Sequence, residues 1–317
     1  MRILAADIGG TNSRFAVFRA GPGPLEREGG LTLPSAGAAD FTSLLARVWA
    51  GIGAGPEDFD AAVLAVAGPV RGRSCRPPNI SWDIDLERDW SDPTPCLLLN
   101  DFLAQAYACR TPAVAEARVI HPGTADPRGA VAVIGAGTGL GHCALLPLDR
   151  GFTAVPSEGG HASFAFVGPE EGAYEEFLRK ETGRPYAYGD LVVTGSGLSL
   201  LHRFHTGRDL APAQVAAELG PDSPTLVWFA RFYARACRNY ALTVLATGGL
   251  YVSGGLAAKN PTVVDNDHFR AEFINSPAHA ELLRSLPVRL NANENSGLYG
   301  AALFGQRALE RATGLEA

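Results

Sequence analysis

Short apolar runs, each stopped by glycine, asparagine or aspartate, alternate along this chain with segments in which apolar residues recur every three or four positions. Two runs are folded over a glycine turn. Residues 3–8 and 14–18 flank Gly9, Gly10, Thr11 and Asn12, and the same layout returns over 130–146 around Gly135, Gly137, Thr138, Gly139 and Gly141. Each predicts a β-hairpin. Residues 61–67 and 96–99 read as short buried parallel strands, and 40–49 as a helix capped by Asp40. Beyond residue 104 the pattern restarts with a helix at 103–109, the second hairpin and a glycine-rich loop over 156–161. Leu226, Phe229, Tyr233, Cys237, Tyr240 and Val244 predict a core helix over 224–246. A strand at 250–253 enters the turn Ser253-Gly254-Gly255, a last strand covers 287–290, and a C-terminal helix runs from about 298 to 311. Strands alternating with helices give the α/β class. The restart gives two domains: 1–103, completed by a C-terminal helix within 298–317, and 104–297.

Composition narrows the partners. A net charge of −6 over 317 residues supplies no concentrated basic face for nucleic acid or an anionic membrane, so small molecules are expected. Five cysteines with no Cys-x-x-Cys pair predict reduced, mostly buried thiols, neither a disulfide framework nor a zinc cluster. The N-terminus carries no basic, long-apolar leader and no run approaches a membrane span, which predicts a cytoplasmic protein. Lys180 and Lys259 are the only lysines, and neither completes a Walker A motif. Nucleotide binding here has to proceed without a P-loop.

In the hairpins, glycines let the backbone approach a ligand, while threonine hydroxyls and free N–H groups suit phosphate oxygens. Asp101 follows the apolar run 97–99, where open α/β sheets expose their ligand-binding edge. A carboxylate there can accept the proton of an alcohol that attacks a γ-phosphorus. Asn100 beside it suits neighbouring hydroxyls, although Asn-Asp also reads as a plain helix cap. Glu158 and His161 flank Gly159 and Gly160 on a loop able to approach a polyol, and Asp190 offers another acceptor; each also reads as an ordinary surface turn or cap. Gly135 to Leu140 lacks the third glycine of a dinucleotide fingerprint and continues as strand. His202 and His205 have helical ligand spacing but no third ligand, and read as a solvated helix face.

Taken in order, Asp7-Ile-Gly-Gly-Thr-Asn12, Asn100-Asp101-Phe102, Gly135 to Gly141, Ser157-Glu-Gly-Gly-His161 and Ser253-Gly-Gly255 resemble the bacterial glucokinases over nearly the whole chain. The resemblance implies an actin-like, ribonuclease-H-like hexokinase fold of two α/β domains that bind ATP and sugar in the cleft between them. It implies that Asp101 deprotonates the 6-hydroxyl of glucose, and that Asn100, Glu158 and His161 grip the sugar. Asp190 stands where the family usually has a sugar-contacting glutamate. Gly9, Gly10, Thr11, Asn12, Gly137 and Thr138 would lie along the phosphates, Asp7 would position Mg²⁺ through water, and Ser253, Gly254 and Gly255 would bound the adenosine pocket. The related repressor, open-reading-frame and kinase family carries a cysteine-rich zinc motif after the corresponding loop; no cysteine lies between Cys143 and Cys237 here. A kinase for another hexose or an N-acetylhexosamine stays open, as does a regulator that binds sugar and nucleotide without turnover. Such kinases are commonly dimers, which leaves a homodimer open, but no exposed apolar stripe marks an interface.

Overall fold

The computed structural model describes residues 1–314. By its internal packing the chain divides into one unit formed by Met1–Glu116 with the segment from Asn293 onward, and a second formed by Ala117–Ala292. The division expected at 103/104 and 297/298 therefore falls at 116/117 and 292/293, because the helix following Asn100 packs in the first unit. The last three residues of the expected 298–317 segment lie outside the described residues.

In the first unit, β1 (Arg2–Ile8), β2 (Asn12–Arg19), β3 (Glu26–Pro34), β4 (Ala61–Val66) and β5 (Cys96–Asn100) form one sheet in the order β3-β2-β1-β4-β5. The hairpin strands are antiparallel, whereas β1, β4 and β5 run parallel. Every residue of β4 is buried, as its unbroken apolar run requires. One sheet face packs on α1 (Phe41–Ile52), through Leu4, Ala6, Phe41 and Leu44 among others. The opposite face, with Ile3, Ala5, Val63 and Leu99, packs on α2 (Asp101–Ala108) and the C-terminal helix Ser296–Ala312. These two helices approach so closely that a Cβ at Gly300 would stand 1.7 Å from the Ala104 carbonyl oxygen.

The second unit repeats the plan. Its strands β6 (Arg118–His121), β7 (Val131–Ala136), β8 (Leu140–Pro147), β9 (Phe152–Ser157), β10 (Leu250–Ser253) and β11 (Val288–Leu290) are ordered β9-β8-β7-β10-β11-β6. Again an antiparallel hairpin leads into parallel strands, here β7, β10 and β11. Its helices include α3 (Gly168–Thr182), α4 (Gly195–Thr206) and α5 (Pro224–Thr243). Along α5, Phe229, Tyr233 and Cys237 are buried at helical spacing, and the Tyr233 hydroxyl accepts the Ala136 N–H at 3.0 Å, fixing the end of β7. A buried ion cluster joins α5 to α3: Arg235 donates to Glu171 at 2.5 Å and to Glu272 at 2.9 Å.

The reading of His202 and His205 as a solvated face is overturned. His202 is buried, its Nδ1 3.4 Å from the Thr225 hydroxyl, and His205 stands edge-on to Trp228. All five cysteines are free and four are buried. Among the described residues, no helix is long and apolar enough to cross a membrane.

Candidate active site

Strand register gathers the first unit's candidates at one sheet edge. Ile8 pairs with Val66 and Val66 with Asn100, so Asp7 and Asp101 stand one residue either side of a common line at the C-terminal ends of parallel strands. Asn100 is the N-cap of α2: its Oδ1 accepts the Phe102 N–H at 2.9 Å and its Nδ2 donates to the Gly68 carbonyl at 3.0 Å. The cap sets the backbone from which Asp101, the candidate base, projects. Asp101 is only partly exposed. Burial, with the Asp7 charge beside it, pushes its carboxyl up to about 7. Burial likewise raises Asp7 to about 6, countered by Arg14.

Alternation along β1 turns Asp7 to the same face as Ile3 and Ala5, where the first turn of the C-terminal helix begins. A Cβ at Gly297 would lie 3.0 Å from Asp7 Oδ2. Gly297 thus leaves the space beside Asp7 free of a side chain, and the Glu-Asn-Ser-Gly string before the last helix is the only local sign of it. The first hairpin turn is buttressed by Ser35, whose hydroxyl donates to the Gly9 carbonyl at 2.6 Å and whose N–H donates to the Thr11 carbonyl at 3.0 Å. Asn79, also unanticipated, lies across this turn: a Cβ on Gly10 would stand 2.6 Å from that of Asn79.

The second unit gathers the remaining candidates. Gly135 on β7 lies in register with Ser253 on β10, which sets the turn of the second hairpin beside the Ser253-Gly254-Gly255 bend. Gly254 has φ of 92° and leaves no room for a side chain, the Ala136 carbonyl oxygen being 2.6 Å from where a Cβ would be. On the other side of the hairpin, His142 on β8 is paired with Ser157, the last residue of β9. Glu158 and His161 follow at once on a 3-10 turn, both well exposed, with His161 Nε2 3.7 Å from Glu158 Oε2. Beneath them, burial pushes His142 down to about 4, so that it is neutral. Asp190 is more enclosed: Oδ1 accepts the Leu140 N–H at 2.8 Å and Oδ2 is 3.9 Å from His161 Nδ1.

This chain matches the family model Glucokinase over residues 4–308. It is 33% identical to a glucokinase from Chromobacterium violaceum, the alignment covering 94% of this chain and 88% of the relative. Among solved structures, a glucokinase from an Antarctic psychrotroph superposes with a TM-score of 0.85 at 28% identity, over 96% of this chain and 99% of that one. A ROK-family glucokinase from Streptomyces griseus, in complex with glucose and AMPPNP, superposes with a TM-score of 0.65 at 18% identity over 97% and 100% of the two chains, and shares the fold. The duplicated hairpin-and-parallel-sheet plan is thus the actin-like fold. With its paired glycine hairpins, capped aspartate and Glu-Gly-Gly-His loop all at strand ends, the chain belongs to the glucokinase family.

Proposed function

We infer that this protein is an ATP:D-glucose 6-phosphotransferase. The observation that carries the assignment is Asp101: a partly buried carboxylate at the end of a parallel strand, fixed by a helix cap, with proton affinity near neutrality. A general base has to exchange protons near working pH, and this setting meets that need. Asp101 accepts the proton of the sugar 6-hydroxyl while that oxygen bonds to the γ-phosphorus and ADP departs. Glu158 and His161 are assigned to the sugar hydroxyls, with Asn100 orienting both the base and the neighbouring hydroxyl. Backbone N–H groups of Gly9, Gly10, Thr11 and Asn12, and of Gly137 and Thr138, are assigned to the phosphates. Ser253, Gly254 and Gly255 are assigned to the adenosine.

Mg²⁺ fits the residues present. No hydrogen bond reaches the Asp7 carboxylate among the described residues, and Asp101 adds a second negative charge nearby. No group of three His, Cys, Asp or Glu side chains able to hold a metal occurs among the described residues, which suits an ion that arrives with the nucleotide. Asp7 would hold Mg²⁺ through water, and the ion's chemistry there is neutralisation of phosphate charge. A cytoplasmic site of action goes with the use of ATP.

The test is ADP formation with Mg-ATP and glucose, mannose, fructose, N-acetylglucosamine or no sugar, for the wild type and Asp101→Asn. Glucose-dependent turnover that disappears in the variant is expected. Turnover with another sugar alone would move the substrate, and turnover with none would refute the assignment.

A further inference from the structure

Between the second hairpin's turn and the Glu158–His161 loop lies the Asp190 carboxylate. Asp190 Oδ1 takes the Leu140 N–H, the first donor after the Gly137-Thr138-Gly139 turn. A Cβ on Gly139 would stand 2.9 Å from Asp190 Oδ2, and one on Gly160 would stand 2.4 Å from Oδ1. The segment carrying Asp190 is itself stitched to both sides. Gly189 N–H donates to the Ala162 carbonyl at 3.3 Å, directly after the sugar loop, and the Tyr188 ring lies 5.9 Å from that of His161. Five residues on from Asp190, the Gly195 N–H donates to the Gly137 carbonyl at 3.3 Å, bracketing the hairpin turn from its other end. Thr194 then bonds back to the Asp190 carbonyl at 2.7 Å and caps α4 by accepting the Gly197 N–H at 3.1 Å.

We propose that Asp190 is a positioning residue that fastens the phosphate-binding turn to the sugar-binding loop, so that the order imposed by either ligand is passed to the other's site. This rests on the assignment of those two elements under the proposed function. It takes the place of a direct sugar contact by Asp190, because one oxygen of the shorter aspartate is held by the Leu140 N–H and the other lies 3.9 Å from His161 Nδ1. A carboxylate–amide hydrogen bond of this kind carries enough energy that its loss changes affinities by about tenfold. Because one anchor serves both elements, the loss falls on both ligands.

The experiment combines hydrogen exchange with steady-state kinetics on the full chain, using Asp190→Ala, Asp190→Asn and Gly139→Ala. In Asp190→Ala, exchange is expected to quicken in peptides covering both 137–141 and 158–162, and KM for glucose and for ATP to rise together by about tenfold. Asp190→Asn keeps a carbonyl oxygen for the Leu140 N–H and is expected to restore most of both. In Gly139→Ala the new methyl displaces Asp190 Oδ2, so a change made in the phosphate turn is expected to quicken exchange in the sugar loop. A rise in the glucose KM alone, with exchange unchanged over 137–141, would overturn the proposal in favour of a direct sugar contact. Unaltered exchange in the sugar loop of Gly139→Ala would also overturn it. Should the wild type turn over no sugar, the functional assignment fails separately, and the exchange measurements still decide whether Asp190 joins the two elements. If Asp190→Ala does not fold, Gly139→Ala carries both comparisons, through exchange over 137–141 and 158–162 and through its two KM values, with Asp190→Asn as the control that keeps the bond.

Discussion

The Asp7 carboxylate adds its charge to burial in raising the proton affinity of Asp101. Both groups sit at the ends of parallel strands, two strands apart in a sheet whose neighbouring strands are about 4.8 Å from one another. Their repulsion would be relieved by a cation beside them or by protonation of either one.

A base works only unprotonated, so kcat/KM for glucose is expected to climb with pH through about 7 and then level off. Replacing Asp7 by Asn removes the neighbouring charge and moves that acid limb to lower pH, even as overall activity falls. A pH–rate profile of both proteins checks this. An acid limb unmoved in Asp7→Asn would separate the two carboxylates.

Asp101→Asn is expected to lower turnover by about 10²–10⁴-fold and at the same time to stabilise the fold. The folded-state pKa is raised from 3.8 to about 7, so the stability associated with this group is fully present below 3.8 and is lost as pH rises through 7. Above that range the wild type holds a buried charge that asparagine lacks. Thermal unfolding at about pH 8 should favour the variant by up to about 4 kcal/mol, and the gap should close towards pH 4. A variant less stable than the wild type under alkaline conditions would contradict the buried setting of Asp101.

Gly300→Ala tests the closest helix approach. Alanine favours helix by about 1 kcal/mol over glycine, yet its methyl would stand 1.7 Å from the Ala104 carbonyl oxygen and 2.9 Å from the Ala108 nitrogen. All of these are backbone atoms of α2, which cannot swing away as a side chain could. A net loss of about 3 kcal/mol or more is expected from denaturant unfolding, and a neutral result would show that the helices can separate without cost.

Arg235→Leu leaves Glu171 and Glu272 in a nearly closed interior, with only the more exposed Arg231 and Arg238 to neutralise them. Removal of one partner from such a cluster costs about 3–5 kcal/mol. Glu171 also accepts the Val167 N–H at 2.7 Å, and Arg235 donates to the Ala165 carbonyl at 2.9 Å, so the chain leaving the Glu158–His161 loop is expected to loosen as well. Urea unfolding measures the first effect, and proteolysis within 162–167 the second.

The parts of the fold that local pattern can carry were legible in the chain. Both hairpins show as apolar runs about a glycine turn, and α5 as a strict three-to-four repeat ending at Thr243, three residues short of the expected 246, where Leu245 takes a φ of 48°. Strand β3 was not seen, because it is an edge strand with Gly29 and Gly30 and no buried residue. His202 looked solvated because its partner Thr225 belongs to another helix, and no spacing within α4 reports that. The candidate site residues could be picked out by type and order. What their sequence withheld was how they are held: the Leu140 N–H on Asp190 and the approach of Gly297 to Asp7 are contacts between segments far apart along the chain.

The return of the C-terminal helix to the first sheet sets a timetable for the nascent chain. Ile3, Ala5 and Val63 are covered by Leu298, Ala301 and Ala302, which leave the ribosome last of all the residues in that layer. The contiguous stretch 117–292 can complete its own interior while this older surface still waits, uncovered, for the final turns of peptide to arrive.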